Sequence, residues 1–446
     1  MSSDAPWLPL DDLVEDIIDR RGVTPLKLGG LFTSSGHRVI SAKLLKGGRI
    51  DLGADEPRYV NSAVYAKWMK GPLLPGDVLM TSEAPLGELA YINANLDWCL
   101  GQRLFAIRPK KDRLDGCFAY YALQTRQVRE DLIGRSTGTT VQGIRQSELR
   151  RVRLPVPDLS LQVAAASVLK AIDDRTALLR ETNATLEAIA QALFKSWFVD
   201  FDPVRAKQRG SVPVGNDEAT AALFPADLYD SALGLIPSGW EVKQIAEVVE
   251  AVFDGPHATP AESVDGPVFL GIKNLTGTTL DLSEIRHIAE ADFAQWTKRV
   301  TPRACDIVFS YEATLGFFAL IPPGLRCCLG RRLALIRPKP DQKDGHFWFH
   351  QFVAAPFQRL LAQHTIQGAT VNRIALKHFP SYSVICPPTA LRAAFDACVA
   401  PLWSRIHANQ AQAQTLTRLR DTLLPRLISG QLRLPDAAVQ ITEACA

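Results

Sequence analysis

The chain has 446 residues, of which 47% are hydrophobic and 22% are charged, and its formal net charge is +3. This composition is typical of a globular protein and excludes disordered and collagen-like chains. The small positive charge does not by itself indicate nucleic-acid binding. No apolar run reaches the ~18 residues of a membrane-spanning helix, and the acidic N-terminus does not resemble a signal peptide. We therefore expect a cytoplasmic protein without a membrane partner, folded as two to four units at about 100–200 residues per domain.

The first part of the chain, residues 1–157, is predicted to be a β-rich domain. Short apolar runs bounded by Gly, Pro and Asp indicate strands, and they include RIDLG (49–53), GDVLMT (76–81) and LFAIRP (104–109). The proline-containing segment RLPVPDLS (153–160) closes this domain.

A long helix is predicted next, within a helical region at 158–201. Its apolar residues recur at intervals of four and three, with Arg175 and Thr182 as polar interruptions, which is the 3.5-residue repeat of a coiled coil. About 40 helical residues would extend about 60 Å. The residues of this stripe that we expect to pair with another helix are Ile172, Leu179, Leu186, Ile189 and Leu193.

The remaining chain repeats this order. A linker at 202–238, rich in Pro, Gly and acidic residues, leads into a second β-rich domain at 239–388. A second helical region follows at 389–432, and residues 433–446 form a tail. The second stripe that we expect to pair consists of Leu402, Ile406, Leu416, Leu419 and Leu423.

The two halves are a tandem duplication of about 230 residues. GDVLMTSEAPLG (76–87) matches CDIVFSYEATLG (305–316), and CLGQRLFAIRPKKD (99–112) matches CLGRRLALIRPKPD (328–341), both at an offset of 229. GTTVQGI (138–144) matches GATVNRI (368–374) at an offset of 230. Small drifts of this kind are what insertions in surface loops produce.

The two stripes superpose at the offset of 230, so the economical arrangement is one helix packed on the other. Antiparallel packing would make an intramolecular coiled coil with a pseudo-two-fold axis. The alternative is that each helix packs on its own β-rich domain. The predicted fold class is therefore α+β, with two β-rich domains separated by two long paired helices.

The sequence offers little to support catalysis. It contains no GxxxxGK[ST] phosphate loop, no GxGxxG after a strand and no Cys-x-x-Cys pair. Asp227 with Glu241-Val242-Lys243 fits a Mg²⁺ nuclease core only formally, and His346 with His350 lacks a third zinc ligand. We expect no catalytic residue, metal or cofactor in this chain.

Cationic and amide side chains in loops are the candidates for contacting duplex DNA. Arg binds guanine and phosphate, while Thr, Gln and Asn reach base edges. Such loops occur in both copies, although solvated surface charges are the alternative for each one alone. The candidates are Lys43, Lys46, Arg49, Arg135, Thr139, Thr140, Gln142 and Arg145 in the first copy, and Lys273, Asn274, Gln367, Thr370, Asn372, Arg373 and Lys377 in the second.

These features together resemble the specificity subunit of a Type I restriction–modification system. The resemblance covers nearly the whole chain. LEAIAQALFKSWFVDFDPV (186–204) and LRDTLLPRLISGQL (419–432) are similar to the ends of the family's two helical regions. IPSGWEV (236–242) resembles the start of a second target-recognition domain, and DGPHATP (254–260) resembles a recurrent loop in such domains. In the first copy DRRGVTP (19–25) stands in that loop's place.

The resemblance implies that each β-rich domain reads one half of a split DNA target and that the helices set the spacer. It adds Asp254, His257 and Thr259 to the DNA-binding candidates. It also implies that this subunit is non-catalytic and docks two modification subunits, which carry S-adenosylmethionine and methylate adenine N6. In a full restriction complex, two motor-nuclease subunits that use ATP and Mg²⁺ would add cleavage.

Two other functions are consistent with parts of the sequence. A DNA-modifying enzyme acting alone would bind S-adenosylmethionine or cleave DNA with Mg²⁺, and the missing motifs count against it. A bivalent protein-interaction scaffold on a coiled-coil rod would show no salt-dependent binding to duplex DNA.

Overall fold

The structure is a computed structural model that describes residues 5–138, 141–212, 215, 217–368 and 371–432. Contacts divide the chain into two compact units, Met1–Ala177 with Thr415–Ala446 and Leu178–Gln414. Each unit combines one β-rich part with segments of two 40-residue helices, which confirms the predicted α+β class. Among the described residues, no helix has both the length and the apolar character needed to cross a membrane.

The first unit contains short strands and helices that precede the first long helix. Its strands are β1 Trp7–Pro9, β2 Val14–Asp19, β3 His37–Ile40, β4 Leu45–Lys46, β5 Arg49–Ile50, β6 Tyr59–Val60, β7 Val78–Thr81, β8 Leu89–Tyr91, β9 Cys99–Leu100, β10 Leu104–Pro109 and β11 Arg153–Pro155. Its helices are α1 Leu10–Leu13, α2 Ser62–Trp68, α3 Gly116–Ala122, α4 Arg126–Gly134, α5 Gln146–Leu149 and the first part of α6 Leu159–Phe198, with 3₁₀ turns at Leu26–Leu28 and Ala42–Leu44.

The second unit repeats this series from residue 241 onward, and further helices and strands lie within the predicted linker at 202–238. Its strands are β12 Leu228–Ser231, β13 Gly234–Pro237, β14 Glu241–Gln244, β15 Val249–Asp254, β16 Ser263–Leu270, β17 Leu275–Thr276, β18 Thr279–Leu280, β19 Arg286–His287, β20 Ile307–Ser310, β21 Phe318–Leu320, β22 Cys327–Leu329, β23 Leu333–Pro338, β24 Thr365–Ile366, β25 Arg373–Ile374 and β26 Ser383–Cys386. Its helices are the second part of α6, α7 Asp202–Gln208, α8 Glu218–Ala222, α9 Ile245–Val248, α10 Phe293–Trp296, α11 Gly345–Val353, α12 Ala355–Gln363 and most of α13 Thr389–Ile428, with 3₁₀ turns at Ile272–Asn274, Glu290–Asp292 and Phe379–Ser381.

The same sheet is built twice. The first unit has an antiparallel sheet in the order β2-β10-β7-β8 and a smaller sheet in the order β6-β3-β9. The second unit has β15-β23-β20-β21 and β19-β16-β22. The inner strands β7 and β20 are buried at every residue because both of their faces are covered, so they are apolar at three successive positions instead of alternating, and only their last residues, Thr81 and Ser310, are polar.

One buried ion pair sits at the same place in both sheets. Arg108 makes a two-pronged contact with Asp77 at 2.8 and 2.7 Å. Arg337 does the same with Asp306, 229 positions later, at 2.9 and 2.6 Å. The carboxylates are almost fully buried, and the paired guanidinium makes that burial tolerable. The duplication seen in the sequence is therefore a duplication of tertiary contacts as well.

In the second unit the two long helices pack on each other in antiparallel orientation. Asn183 on α6 contacts Ile406 and Asn409 on α13, while Phe194 and Phe198 contact Phe395 nearer the start of α13. As α6 advances, its partner residues on α13 therefore run backwards. The helix pairing predicted from the stripes is confirmed here.

In the first unit the end of α13 meets the first part of α6. Arg420 Nη1 lies 3.0 Å from Asp173 Oδ1. The other carboxylate oxygen of Asp173 accepts a hydrogen bond from the Tyr121 hydroxyl at 2.8 Å. Asp173 thus joins both helices to the β-rich part of this unit.

Each long helix is also anchored to its own β-rich part. The alternative arrangement, in which each helix packs on its own β-rich domain, is therefore found at the start of each helix. On α6, Gln162 accepts a hydrogen bond from the Asp115 amide at 2.9 Å and donates to the Arg113 and Pro157 carbonyls. On α13, Arg392 takes the equivalent place and donates to the buried Asp344 carboxylate at 2.7 Å.

The predicted pairing residues differ in burial. Ile172, Leu179, Ile406, Leu416 and Leu423 are buried, and Leu186, Leu193, Leu402 and Leu419 are half-buried.

Ile189 corrects the predicted stripe, because its side chain is 50% exposed while the neighbouring Ala190 is fully buried. A straight helix drifts by ~20° per heptad from a 3.5-residue repeat. Toward its end α6 also packs on the aromatic core of the second unit, through Phe194 and Trp197. The buried face therefore moves by one residue.

Candidate nucleic-acid interface

In the second unit, a polar cluster forms where β15 ends at Asp254. One carboxylate oxygen of Asp254 accepts a hydrogen bond from the Tyr311 hydroxyl at 3.0 Å. The other lies 2.7 Å from His257 Nε2 and 3.3 Å from Arg299 Nη1. Burial and the neighbouring Asp254 carboxylate raise the pKa of Tyr311, so its hydroxyl stays protonated and donating. Asp254 thereby holds three side chains of different chemistry at one strand end.

The loop that follows Asp254 requires a glycine. A Cβ at Gly255 would lie 2.5 Å from the Leu333 carbonyl oxygen, and the Gly255 amide donates to that same oxygen at 3.0 Å. This close approach holds the loop against β23 and leaves His257 and Thr259 exposed. Two of the predicted DNA-binding residues are thus accessible, while Asp254 positions His257.

A second predicted segment reaches the same strand end. The Ile374 amide donates to the Tyr311 carbonyl at 2.8 Å, and the Ala313 amide donates to the Asn372 carbonyl at 3.0 Å. Arg373 forms a β-bridge with Glu312. The loop at 254–260 and the segment around 372–374, more than 100 positions apart in the chain, are therefore neighbours of the same residues.

The exposed members of that second segment are Gln367, Arg373 and Lys377, and Asn372 is half-buried. Thr370 lies outside the described residues. Arg373 and Lys377 have their charged groups in solvent, where a phosphate or a base edge can reach them.

The first unit has a matching strand end at Asp19. Asp19 is paired across the sheet with Phe105. Asp254 is paired in the same way with Ala334, which lies 229 positions after Phe105. DRRGVTP (19–25) therefore leaves the sheet at the place from which DGPHATP (254–260) leaves it. The side chains differ, because here Arg21 binds Asp19 at 2.6 Å and lies 4.8 Å over the Phe105 ring.

The second predicted segment of the first unit also meets this strand end. The Ile144 amide donates to the Ser82 carbonyl at 3.0 Å, and Gly143 forms a β-bridge with Glu83. Gln142 and Arg145 are exposed there. Thr139 and Thr140 are outside the part of the chain that the structure describes.

Sequence reasoning missed two ion pairs at these strand ends. Arg103 Nε lies 2.9 Å from Glu83 Oε1 in the first unit. Arg332 Nε lies 3.2 Å from Glu312 Oε1 in the second. The internal repeat could have indicated these pairs, because the glutamate and the arginine of the first pair both recur 229 positions later in the second.

Arg135 is placed differently from the prediction. Its guanidinium lies 2.7 Å from Asp131 and 3.8 Å from Glu148, so two carboxylates of its own domain surround it. These contacts arise because Asp131 is one helical turn before Arg135 on α4. Arg135 therefore contributes to the fold of its own domain, and its contact with DNA stays a prediction.

Asn274 also corrects the prediction, since its side chain is 3% exposed. It accepts from the Gly271 amide and donates to the Asp281 and Glu284 carbonyls, which satisfies the turn that contains it. The adjacent Lys273 is exposed and lies 3.7 Å from Glu284.

The lysine-rich loop of the first unit lies beside Arg103. Lys43 and Arg103 line one cavity of about 470 Å³ together with Arg58 and the acidic Asp55 and Glu56. Lys43 lies 3.7 Å from Asp55. Lys46 and Arg49 are exposed on the two-stranded β4–β5 ribbon.

The weak catalytic patterns have structural roles. His346 binds Asp396 at 2.8 Å, and His350 accepts a hydrogen bond from the Trp403 indole at 3.1 Å. Glu241 and Lys243 pair with each other on β14. Within the described ranges, no group of three or more His, Cys, Asp or Glu side chains could hold a metal ion.

Comparison with known proteins gives a consistent result. Residues 21–188 match the family model of the Type I restriction modification DNA specificity domain. The chain is 28% identical over 369 residues to the Type I restriction enzyme MjaIX specificity subunit of Methanocaldococcus jannaschii, covering 81% of this chain and 78% of that protein. It is 23% identical over 410 residues to the HindI specificity subunit of Haemophilus influenzae, covering 81% and 88%.

The fold is also that of a solved structure. The crystal structure of the Type I restriction–modification system S subunit from M. genitalium aligns with a TM-score of 0.56 over 96% of this chain and 97% of that one. The sequence identity in this alignment is 17%, so the likeness is one of fold.

Proposed function

The chain belongs to the family of Type I restriction–modification specificity subunits, and from this premise we propose that its two β-rich parts read the two halves of an interrupted duplex DNA target. A specificity subunit is not itself an enzyme, and it works in a complex with other subunits of the system and with DNA.

The main observation in support of this proposal is that the two units share one backbone arrangement but present different side chains. Both units bring a loop from the end of an edge strand and a distant polar segment to the same place in the sheet. The scaffold is repeated, but the aspartate at the strand end binds Arg21 in the first unit and His257 in the second. Different side chains on one frame support recognition of two different half-sites.

We assign base and phosphate contacts to the exposed polar residues at these strand ends. In the first unit they are Gln142 and Arg145, with Lys43, Lys46 and Arg49 nearby on the adjoining loop. In the second unit they are His257, Thr259, Gln367, Arg373 and Lys377, with Lys273 and the half-buried Asn372 as further candidates. Arginine and lysine supply phosphate binding, and the amides and His257 supply base contacts.

The predicted domains carry the remaining assignments. Residues 1–157 and 239–388 would be the two target-recognition domains, joined by the linker at 202–238. The helical regions at 158–201 and 389–432 would determine the length of the unread spacer, and 433–446 would be a tail.

The helices would also dock two modification subunits that bind S-adenosylmethionine and methylate adenine N6. Because the target adenine must leave the duplex for methylation, a subunit that holds the duplex on both sides assists that step. In a full restriction complex, two motor-nuclease subunits would use ATP and Mg²⁺. We place the assembly in the cytoplasm.

The test is to express the chain with its neighbouring gene products in a host without N6-methyladenine and to map methylated adenines genome-wide. We expect an interrupted two-part motif that disappears when this chain is omitted. A continuous motif, or methylation that persists without this chain, would contradict the proposal.

A further inference from the structure

We propose that Arg103 and Arg332 contact DNA, and that Glu83 and Glu312 hold these arginines in the free protein until DNA displaces the carboxylates. This inference rests on the proposed function and names the residues through which each unit would engage its half-site. We call Glu83–Arg103 and Glu312–Arg332 the two latch pairs.

The backbone of the latch pairs is strained at equivalent residues in both units. Among the described residues, seven that are not glycine have positive φ, and four of these belong to the latch regions. Arg103 has φ 65° and Arg332 has φ 74°, while Ala84 and Ala313, which follow the two glutamates, have φ 49° and 67°. Residues with a Cβ rarely adopt a positive φ, because this backbone conformation costs free energy that the surrounding fold must offset.

The backbone carbonyls of both arginines are hydrogen-bonded to residues of the predicted interface. The Ser82 amide donates to the Arg103 carbonyl at 2.8 Å, and the Tyr311 amide donates to the Arg332 carbonyl at 3.3 Å. Ser82 and Tyr311 are also the residues whose carbonyls bind the segments around Ile144 and Ile374. Each latch arginine is therefore one residue away from the contacts that assemble the strand end.

The ion pairs of the latches are loose. Arg332 Nε lies 3.2 Å from Glu312 but has no aligned hydrogen-bond partner among the residues that the structure describes. In the first pair the Arg103 side chain is 57% exposed and that of Glu83 is 40% exposed, and in the second pair Arg332 and Glu312 are 31% and 24% exposed. Water reaches both pairs, and ion pairs in contact with water contribute little to stability. It leaves guanidinium N–H groups able to bind a phosphate or the edge of a guanine.

A purely structural role does not account for these pairs. Each unit already has a buried, two-pronged pair at the same sheet, Arg108–Asp77 and Arg337–Asp306. The latch arginines instead occupy a strained conformation for one ion pair each, which is exposed in the first unit and half-buried in the second. A glycine would remove the strain at either position, so the guanidinium is the reason to have arginine there.

The two partners of a latch should have opposite effects on DNA binding. Arg103→Ala and Arg332→Ala should each lower the affinity of the full chain for duplex DNA about tenfold, through loss of one charged hydrogen bond. Each should reduce the slope of log affinity against log salt by about 0.9, as for one phosphate contact. Glu83→Gln and Glu312→Gln should instead raise affinity about two- to fivefold, because no carboxylate then competes for the guanidinium.

The measurement is fluorescence anisotropy of the full chain on a mixed-sequence duplex, titrated between about 50 and 200 mM salt. A second duplex carries the motif found by methylation mapping. Equal losses on both duplexes identify a phosphate acceptor, and a loss confined to the motif duplex identifies a base edge. Both results support the proposal.

Arg103→Gly and Arg332→Gly separate binding from folding. Glycine adopts positive φ without strain, so these variants should unfold at or above the wild-type temperature and still lose DNA affinity. Arg126→Ala and Arg326→Ala are matched controls, since each removes one exposed arginine paired with a glutamate at 2.7 or 2.5 Å and with no positive φ.

The proposal is overturned if the latch arginine variants bind both duplexes as the wild type does. It is also overturned if the Glu→Gln variants weaken DNA binding as the Arg→Ala variants do, since the pair would then act only as a structural unit. A wild-type chain that binds no duplex at any salt concentration would instead contradict the proposed function itself.

Discussion

Asn409 on α13 donates a hydrogen bond from Nδ2 to Oδ1 of Asn183 on α6 over 2.8 Å, and Asn183 in turn donates to the Ile406 carbonyl at 3.2 Å. Asn409 is 2% exposed, so this amide pair is a polar layer inside an otherwise apolar helix contact. A buried amide of this kind favours one register between two helices at some cost in stability.

We therefore predict that Asn409→Ala destabilises the second unit by about 1–3 kcal/mol, because it leaves Oδ1 of Asn183 without its hydrogen-bond donor. The double variant Asn183→Leu with Asn409→Leu should recover most of this loss. Thermal unfolding followed by tryptophan fluorescence measures both, and the second unit contains Trp197, Trp240, Trp348 and Trp403 among its tryptophans. Equal destabilisation by the single and double variants would show that the amide pair is not an energetic unit.

The corrected helix face makes a second prediction. Ile406→Asp should destabilise the second unit by several kcal/mol, since its side chain is 1% exposed and the new charge would be buried without a partner. Ile189→Asp is the matched control and should change the unfolding temperature little, because Ile189 is 50% exposed. Leu186→Asp, at a half-buried position, should fall between them. An Ile189→Asp variant as unstable as Ile406→Asp would restore the original stripe.

The two helix anchors should differ in strength. Arg392→Ala leaves the fully buried Asp344 carboxylate without its cation, which typically costs about 3–5 kcal/mol. Gln162→Ala removes only neutral hydrogen bonds and should cost the first unit about 1–3 kcal/mol. Hydrogen exchange of the backbone amides, measured separately in each unit, gives the loss of stability caused by each of the two variants. The prediction is wrong if the glutamine variant is the less stable one.

Acid should destabilise the second unit through His350. Burial, followed by the neighbouring His346, lowers the pKa of His350 to about 3 from its ordinary 6.5. Below pH 6.5, therefore, His350 takes up a proton in the unfolded chain but stays neutral in the folded chain. Stability is complete above that pH and falls as the pH drops toward 3, by up to about 1.4 kcal/mol per pH unit.

His350→Phe tests this effect. The variant should be less stable at pH 7, because Trp403 loses its acceptor, but its unfolding temperature should depend less on pH between 6.5 and 4. Burial also lowers the pKa of His407, to about 4, so part of the pH dependence should remain. An unchanged pH dependence in the variant would exclude His350 as its source.

Three of the predicted arginines provide a test of the DNA interface. Arg145→Ala and Arg373→Ala should each relax methylation specificity at one half of the target, because each lies in a different unit. Arg135→Ala should lower the unfolding temperature, since it leaves Asp131 without its cation and removes one of the two arginines beside Glu148, and should leave the methylated motif unchanged. Methylation mapping with each variant checks all three. Loss at both half-sites from a single substitution would contradict independent recognition.

Local patterns in the sequence determined the architecture. The offset of 229 to 230 predicted two similar β-rich parts, because duplicated strands keep their apolar residues and their turn residues. The apolar stripes predicted two long paired helices, since side chains three and four apart share a helix face. Those features depend on neighbours within a few residues, and the chain order alone displays them.

Only the tertiary structure decided which polar residues are accessible. Arg135 and Arg145 are ten positions apart in one basic segment, yet one is surrounded by carboxylates and the other is in solvent. The sequence predicted that Asn274 contacts DNA bases, but its side chain is hydrogen-bonded to backbone groups of its own turn. Side-chain pairing across 20 or more positions, as in Glu83 with Arg103, depends on strand register and on loop strain. Neither is a property of the residues taken one at a time, so folding had to bring them together before their roles could be distinguished.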